Sequence, residues 1–131
     1  MQMTSMAAWN SLTNLFEILR NEEDHGNLPR SYMAVPTGLI ADGLTEEQQN
    51  GMVAQQKVDR SHPTVSTLGL RDALNKIAHY RTAVAAYRVD GRGAHYLVLG
   101  GSFRNRRWVA EILVSRLCRN ASIAADAITG F

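Results

Sequence analysis

The spacing of apolar residues changes from a helical to a strand-like period between residues 66 and 115. Over residues 66–80, Leu70, Leu74 and Ile77 recur at intervals of three and four, which is typical of one face of an α-helix. Three later segments have the composition or the alternation of strands, with short turns between them: residues 82–89, 95–99 and 108–115. Because short turns join neighbouring antiparallel strands, this order predicts a central helix followed by a three-stranded antiparallel meander.

Further helices are expected before and after this region, at residues 5–20, 46–59 and 115–128. The first has helical apolar spacing at Trp9, Leu12, Phe16 and Leu19. Thr45 and Gln48 form a capping-box sequence at the start of the second, whose few large apolar residues predict a weakly packed helix that is either mobile or faces a partner. The third is expected as one helix or as two short ones divided near Asn120.

Residues 28–43 are predicted to form a loop with a short extended piece at 32–35, because Pro36, Gly38 and Gly43 interrupt regular elements. No repeat and no second domain is visible in the sequence, whose 131 residues are enough for one hydrophobic core. We therefore expect a single α+β domain over residues 1–131. Its N-terminal and central helices would pack on the three-stranded meander, and a C-terminal helix would close it.

The composition excludes several classes of protein. No run approaches the ~20 apolar residues of a membrane-spanning helix, and the first residues lack the charged-then-apolar pattern of a secretion signal. A cytoplasmic location is therefore expected. The single cysteine, Cys118, and four scattered histidines offer neither an internal disulfide nor zinc-ligand spacing, so no metal and no cofactor are expected.

Charge is distributed unevenly along the chain. Residues 1–59 hold eight acidic and three basic residues, a net −5, whereas residues 60–131 hold four acidic and eleven basic residues, a net +7. Twelve of the fourteen basic residues are arginine, whose planar guanidinium makes bidentate contacts with phosphate or carboxylate. Two interpretations remain open: the second half meets an anionic partner, or the acidic half neutralises it within the fold or in a homodimer.

The predicted central helix carries a polar stripe formed by Arg71, Asn75 and His79 at intervals of four. Arginine holds phosphate or stabilises negative charge, histidine moves a proton near neutral pH, and asparagine orients either group. This combination suits metal-free cleavage of RNA, in which the 2′-hydroxyl attacks its own phosphate. A solvated helix face, with His79 near the helix C-terminus, accounts for the same pattern.

The pair formed by Arg71-Asp72 and His79 resembles the nuclease motif of HEPN domains, which are small helical bacterial domains. In that motif an arginine is followed by a polar residue and, a few residues later on the same helix, by a histidine. Seven residues separate Arg71 from His79, a wider spacing than in the motif, and the resemblance covers residues 66–81. It implies a metal-independent ribonuclease in which Arg71 and His79 are catalytic, with Asn75 beside them.

The connection between the last two predicted strands is the second candidate site. It places three arginines between the aromatic residues Phe103 and Trp108, the combination that binds single-stranded nucleic acid. Successive turns of a meander lie at opposite ends, so the arginines near the two turns are not expected to share one tip. The candidate anion- or partner-binding residues are Arg88, Arg92, Arg104, Arg106, Arg107 and Trp108. A structural interpretation accounts for the same residues: the aromatic side chains pack in the core, and the arginines of the turn keep a sheet edge soluble.

Two classes of function remain open. The first is a small binding protein, such as an inhibitor or adaptor of a phage or mobile element, whose arginine-rich surface contacts an acidic protein partner. The alternative is a protein that binds RNA or another polyanion, with the metal-free ribonuclease activity that the HEPN resemblance implies. We rank the protein-binding class first, because it requires fewer coincidences than catalysis, and we expect no membrane partner.

Overall fold

Five antiparallel strands form one sheet with helices on both faces. The computed structural model describes the backbone of residues 2–81 and 84–128, and the side chains of residue 11 and of residues 13–81 and 84–128. The strands are β1 (Pro36–Leu44), β2 (Ser66–Gly69), β3 (Ala85–Val89), β4 (His95–Phe103) and β5 (Arg106–Leu113). The helices are α1 (Gln2–Asp24), α2 (Arg30–Met33), α3 (Glu46–Gln55), α4 (Leu70–His79) and α5 (Val114–Asp126). The order of strands across the sheet is β2-β1-β5-β4-β3, and every neighbouring pair is antiparallel.

The predicted α+β class is confirmed, but the prediction of a three-stranded meander is wrong, because β1 and β2 extend the sheet beyond β5. The predicted loop at 28–43 contains α2 and most of β1. Gly38 lies inside β1 at an irregularity in its register with β2, and a Cβ at this position would lie 2.5 Å from the carbonyl oxygen of Glu111 in β5. The glycine therefore permits close approach of two strands, a role that the sequence pattern does not separate from that of a turn residue.

The larger core lies between the sheet and the helices α1, α2, α4 and α5. Helix α4 presents Leu70, Leu74 and Ile77 to this core, where they are buried with Ile112 of β5 and Leu117 of α5. Helix α1 packs mainly on α4. The sequence-predicted apolar positions Trp9 and Leu12 lie outside the described side chains.

The opposite face of the sheet is covered in part by α3. Met52 of this helix is buried against Val98 and Val109. The predicted capping box is confirmed, because the Thr45 hydroxyl accepts from the Gln48 backbone N–H and the Gln48 side chain accepts from the Thr45 N–H. The prediction that this helix packs weakly overlooked its buried polar residue, Gln49, which hydrogen-bonds to the sheet.

Several predicted boundaries change. The first four residues of the predicted helix at 66–80 form β2, and α4 begins only at Leu70. The predicted helix at 46–59 ends at Gln55, and the C-terminal helix α5 is continuous through Asn120. The first residues of the strand predicted at 82–89 lie outside the described residues. Within the described ranges, none of the helices combines the length and the apolar character needed to cross a membrane.

Candidate functional site

Four of the six arginines singled out in the sequence are paired with carboxylates of the same chain. Pairs between the acidic and basic halves are Arg71 with Glu23 and Asp24, Arg106 with Asp42, and Arg107 with Glu46. Within the basic half, Glu111 pairs with both Arg88 and Arg60. Neutralisation within the fold therefore accounts for part of the charge asymmetry. The arginines do not form one uninterrupted cationic surface.

Glu111 explains why Arg88 is not available to a partner. Its carboxylate is buried, accepts a hydrogen bond from the Val58 N–H at 3.0 Å, and lies 3.5 Å from the Arg88 guanidinium. Arg88 also donates to the Gln56 carbonyl at 2.6 Å and lies 4.2 Å from the centre of the Tyr96 ring. These contacts hold the segment after α3 against the sheet, so Arg88 has a structural role.

The two hairpin turns lie at opposite ends of β4, as the sequence predicts for consecutive strands. Arg92 lies in the β3–β4 turn, where its backbone N–H donates to Asp90 Oδ1. Arg104 lies in the two-residue β4–β5 turn. The candidate residues Arg92 and Arg104 therefore belong to separate surfaces.

A groove between α4 and the β4–β5 hairpin brings the two sequence-predicted features together. Its volume is about 560 Å³, within the range of about 300–1,000 Å³ typical of small-ligand pockets. Its lining residues are Asn75, Lys76, His79, Ser102, Phe103 and Trp108. Asn75 and His79 face it together because they stand one helical turn apart on α4.

Trp108 forms the floor of this groove. Its side chain is 4% exposed and lies across Gly101 of β4, where an added Cβ would be 2.5 Å from the indole ring. The Nζ of Lys76, a residue of α4, lies 4.7 Å from the centre of the indole ring. Gln49 of α3 donates its side-chain amide to the Trp108 and Gly101 carbonyls at 3.1 and 2.9 Å. The floor is therefore fixed from both faces of the sheet.

The groove also contains a cation that the sequence analysis missed. Lys76 stands one turn after Asp72, a spacing typical of a surface ion pair, so its position gives no reason to place it in a site. Its interval of three from His79 puts both side chains on one side of α4. This interval is the one signal in the sequence that links Lys76 to the site.

The mouth of the groove carries an exposed aromatic ring and a cationic turn. Phe103 is 66% exposed, more than any other large apolar side chain described, and the Arg104 guanidinium lies 5.1 Å from its ring centre. Arg104 and Asn105 have positive φ angles of 52° and 66°, which are typical of the tight turn found in two-residue hairpin loops. Arg106 is 64% exposed, and its partner Asp42 is 3.5 Å away.

Arg71 belongs to a different cavity. Its guanidinium is bound by Glu23 and Asp24 of α1 at a pocket of about 690 Å³, which is also lined by Arg30 and Asp72. The hydrogen bond from Arg71 lowers the pKa of Asp24, and the same bond raises the pKa of Arg71.

The predicted stripe of three is therefore divided. Arg71 and His79 are eight positions apart on α4, which corresponds to about 12 Å along the helix axis. Asn75 and His79 line the groove between α4 and the hairpin, whereas Arg71 lines the cavity beside α1. No described group of three or more His, Cys, Asp or Glu side chains is arranged to hold a metal ion. Comparison of the chain with known protein families, characterised proteins and solved structures gave no match.

Proposed function

We propose that this protein binds single-stranded RNA in the groove between α4 and the β4–β5 hairpin. The observation that carries the proposal is the exposed Phe103 ring, with a guanidinium beside it, at the mouth of a cavity that also contains Lys76 and His79. Single-stranded nucleic acid is bound by this pairing of an aromatic surface for bases with cations for phosphates.

Each lining group has a role that matches its chemistry. A base stacks on Phe103, while Arg104 and Lys76 contact the phosphates on either side of it. Asn75 and Ser102 supply a side-chain amide and a hydroxyl, which hydrogen-bond to base edges or to the 2′-hydroxyl that distinguishes RNA from DNA.

The backbone of the turn supports a role for the Arg104 side chain. A non-glycine residue in the left-handed region costs about 1 kcal/mol, and glycine is the residue that tight hairpin turns favour. Arg104 occupies this conformation with φ of 52°. Residues held in such conformations cluster at functional sites, so the strain favours a function that needs the guanidinium.

Binding to a labelled single-stranded RNA tests the proposal by fluorescence anisotropy over a range of salt concentrations. We expect affinity to fall as salt rises, with a slope of about 0.7 for each phosphate contact. Phe103→Leu keeps an apolar side chain but removes the ring, so its affinity should fall about tenfold, whereas Phe103→Tyr should bind like the wild type. Ile123→Ala, at an exposed apolar residue of α5, is the matched control.

Two results would contradict the proposal: no RNA binding at low salt, or equal affinity of Phe103→Leu and Phe103→Tyr. An acidic protein partner, the other class predicted from the sequence, requires charge at Arg104 and Arg106 but not a stacked base. Salt-dependent binding that is indifferent to the ring at Phe103 would therefore favour that class.

Separation of the same oligonucleotide on a denaturing gel tests the ribonuclease activity implied by the HEPN resemblance. If His79 moves a proton in that reaction, His79→Ala should abolish cleavage and leave RNA binding largely intact. Equal cleavage by this variant would remove His79 from the reaction. Binding without cleavage by the wild type would restrict the groove to a binding role.

A further inference from the structure

The outer edge of β3 has main-chain groups that face away from the sheet. At one end of the strand the Gly100 N–H donates to the Val84 carbonyl at 2.7 Å, and just beyond the other end the Asp90 N–H donates to the Ala94 carbonyl at 3.0 Å. In an antiparallel pair, residues that bond to the neighbour alternate with residues that do not. The N–H and C=O groups of the alternate residues, Ala85, Tyr87 and Val89, therefore point outward.

This edge lacks the features that usually keep an edge strand monomeric. Its sequence has neither proline nor lysine, and its register with β4 is continuous without a bulge. Its one charged residue, Arg88, is held by Glu111 and Tyr96 on the face that α3 partly covers. The outward positions carry exposed apolar side chains, Tyr87 at 48% and Val89 at 52%.

We propose that β3 pairs antiparallel with β3 of a second copy of this chain. A two-fold axis at Tyr87 places this residue opposite itself and Ala85 opposite Val89 of the second copy. All three outward residues then exchange main-chain bonds, which makes about six hydrogen bonds across the axis.

The side chains also suit a second copy as the occupant. Small Ala85 faces larger Val89, and Arg88 faces Ala86 of the other copy, so the two arginines are not directly opposed. Glu111 lies 3.5 Å from Arg88 and is shared with Arg60, so part of the Arg88 charge is offset within each copy. This inference does not depend on RNA binding in the groove.

The interface is small, so a reversible dimer is expected. Five residues on each side bury less than the roughly 800 Å² per partner of a standard interface, so the dimer is expected to be weak and to dissociate on dilution. Sedimentation velocity on the full chain between about 1 and 200 µM should show the mass rising from 14.5 kDa toward twice that value.

Two edge variants and one control variant distinguish edge pairing from other association. Val89→Lys introduces a charge at the edge and should weaken the dimer at least tenfold, whereas Ile123→Lys puts the same charge on the similarly exposed α5 surface and should not. Ala85→Pro removes an outward N–H at the first strand residue, where proline is tolerated, and should weaken the dimer without lowering the unfolding temperature.

A wild-type chain that stays monomeric throughout this range would overturn the proposal. So would a dimer that Val89→Lys and Ile123→Lys weaken equally, or one that the folded Ala85→Pro variant leaves unchanged. Loss of dimerisation without loss of RNA affinity would leave the groove proposal intact.

Discussion

Replacing Arg104 by glycine separates the stability of the β4–β5 turn from its proposed binding role. The left-handed conformation at φ of 52° costs a residue with a Cβ about 1 kcal/mol relative to glycine. Loss of the contact between the guanidinium and Phe103 removes about 0.5 kcal/mol at an exposed site. The variant Arg104→Gly is therefore expected to be more stable than the wild type by about 0.5 kcal/mol.

Thermal unfolding and RNA binding then move in opposite directions. For a chain of this length a gain of about 0.5 kcal/mol raises the unfolding temperature by about 2 °C, measurable by circular dichroism. Loss of one charged contact lowers RNA affinity about tenfold, and the salt slope falls by about 0.7. A general folding defect would lower both stability and affinity, so this opposition is specific to a strained binding residue.

Asn105→Gly is the matched control for the neighbouring turn position. Its φ of 66° also favours glycine, but asparagine tolerates the left-handed region and carries no charge. We expect a smaller gain in stability and unchanged RNA affinity. If Arg104→Gly binds RNA as tightly as the wild type, or unfolds at a lower temperature, the strained conformation of Arg104 does not serve RNA binding.

Three further predictions concern the charged groups. Asp42→Asn should raise RNA affinity severalfold at low salt in the anisotropy assay, because it frees the exposed Arg106 guanidinium. Glu111→Ala should lower the free energy of unfolding in urea by about 3 kcal/mol, because Arg88 and the Val58 N–H lose their buried partner, and Glu111→Gln should lower it less. Hydrogen bonds from the Ala94 and Arg92 N–H groups lower the pKa of Asp90, so stability should fall as the pH drops below about 4, and less so in Asp90→Asn.

Local signals in the sequence predicted those elements that depend on near neighbours. The capping box at Thr45 and the apolar face of α4 each involve residues within a few positions of one another, and both are present. β1 was not predicted, because its pairing partners in β5 lie about 70 positions away in the sequence. Gly38 and Gly43 obscured it further: one permits close strand approach and the other has a positive φ of 64°.

The candidate site was predicted in two separate pieces. Asn75 and His79 came from helical spacing, and Phe103 and Trp108 came from a hairpin composition. Their meeting depends on how α4 crosses the sheet, which no short-range pattern encodes. The sequence pattern predicted Trp108, and not Phe103, as a binding residue, whereas the structure buries Trp108 as the floor and exposes the Phe103 ring.

The cations of the groove differ from most of the other candidate cations in their partners, which are aromatic rings and not carboxylates. Arg71 and Arg107 lie beside carboxylates, so their fields are largely cancelled at a distance, and Arg88 shares Glu111 with Arg60, which offsets part of its charge. Arg104 contacts a ring rather than a carboxylate among the described residues, and Lys76 likewise lies against Trp108. An aromatic partner orients a cation without neutralising it, whereas a carboxylate does both. Arg104 and Lys76 therefore keep part of the positive charge of the second half beside the exposed ring.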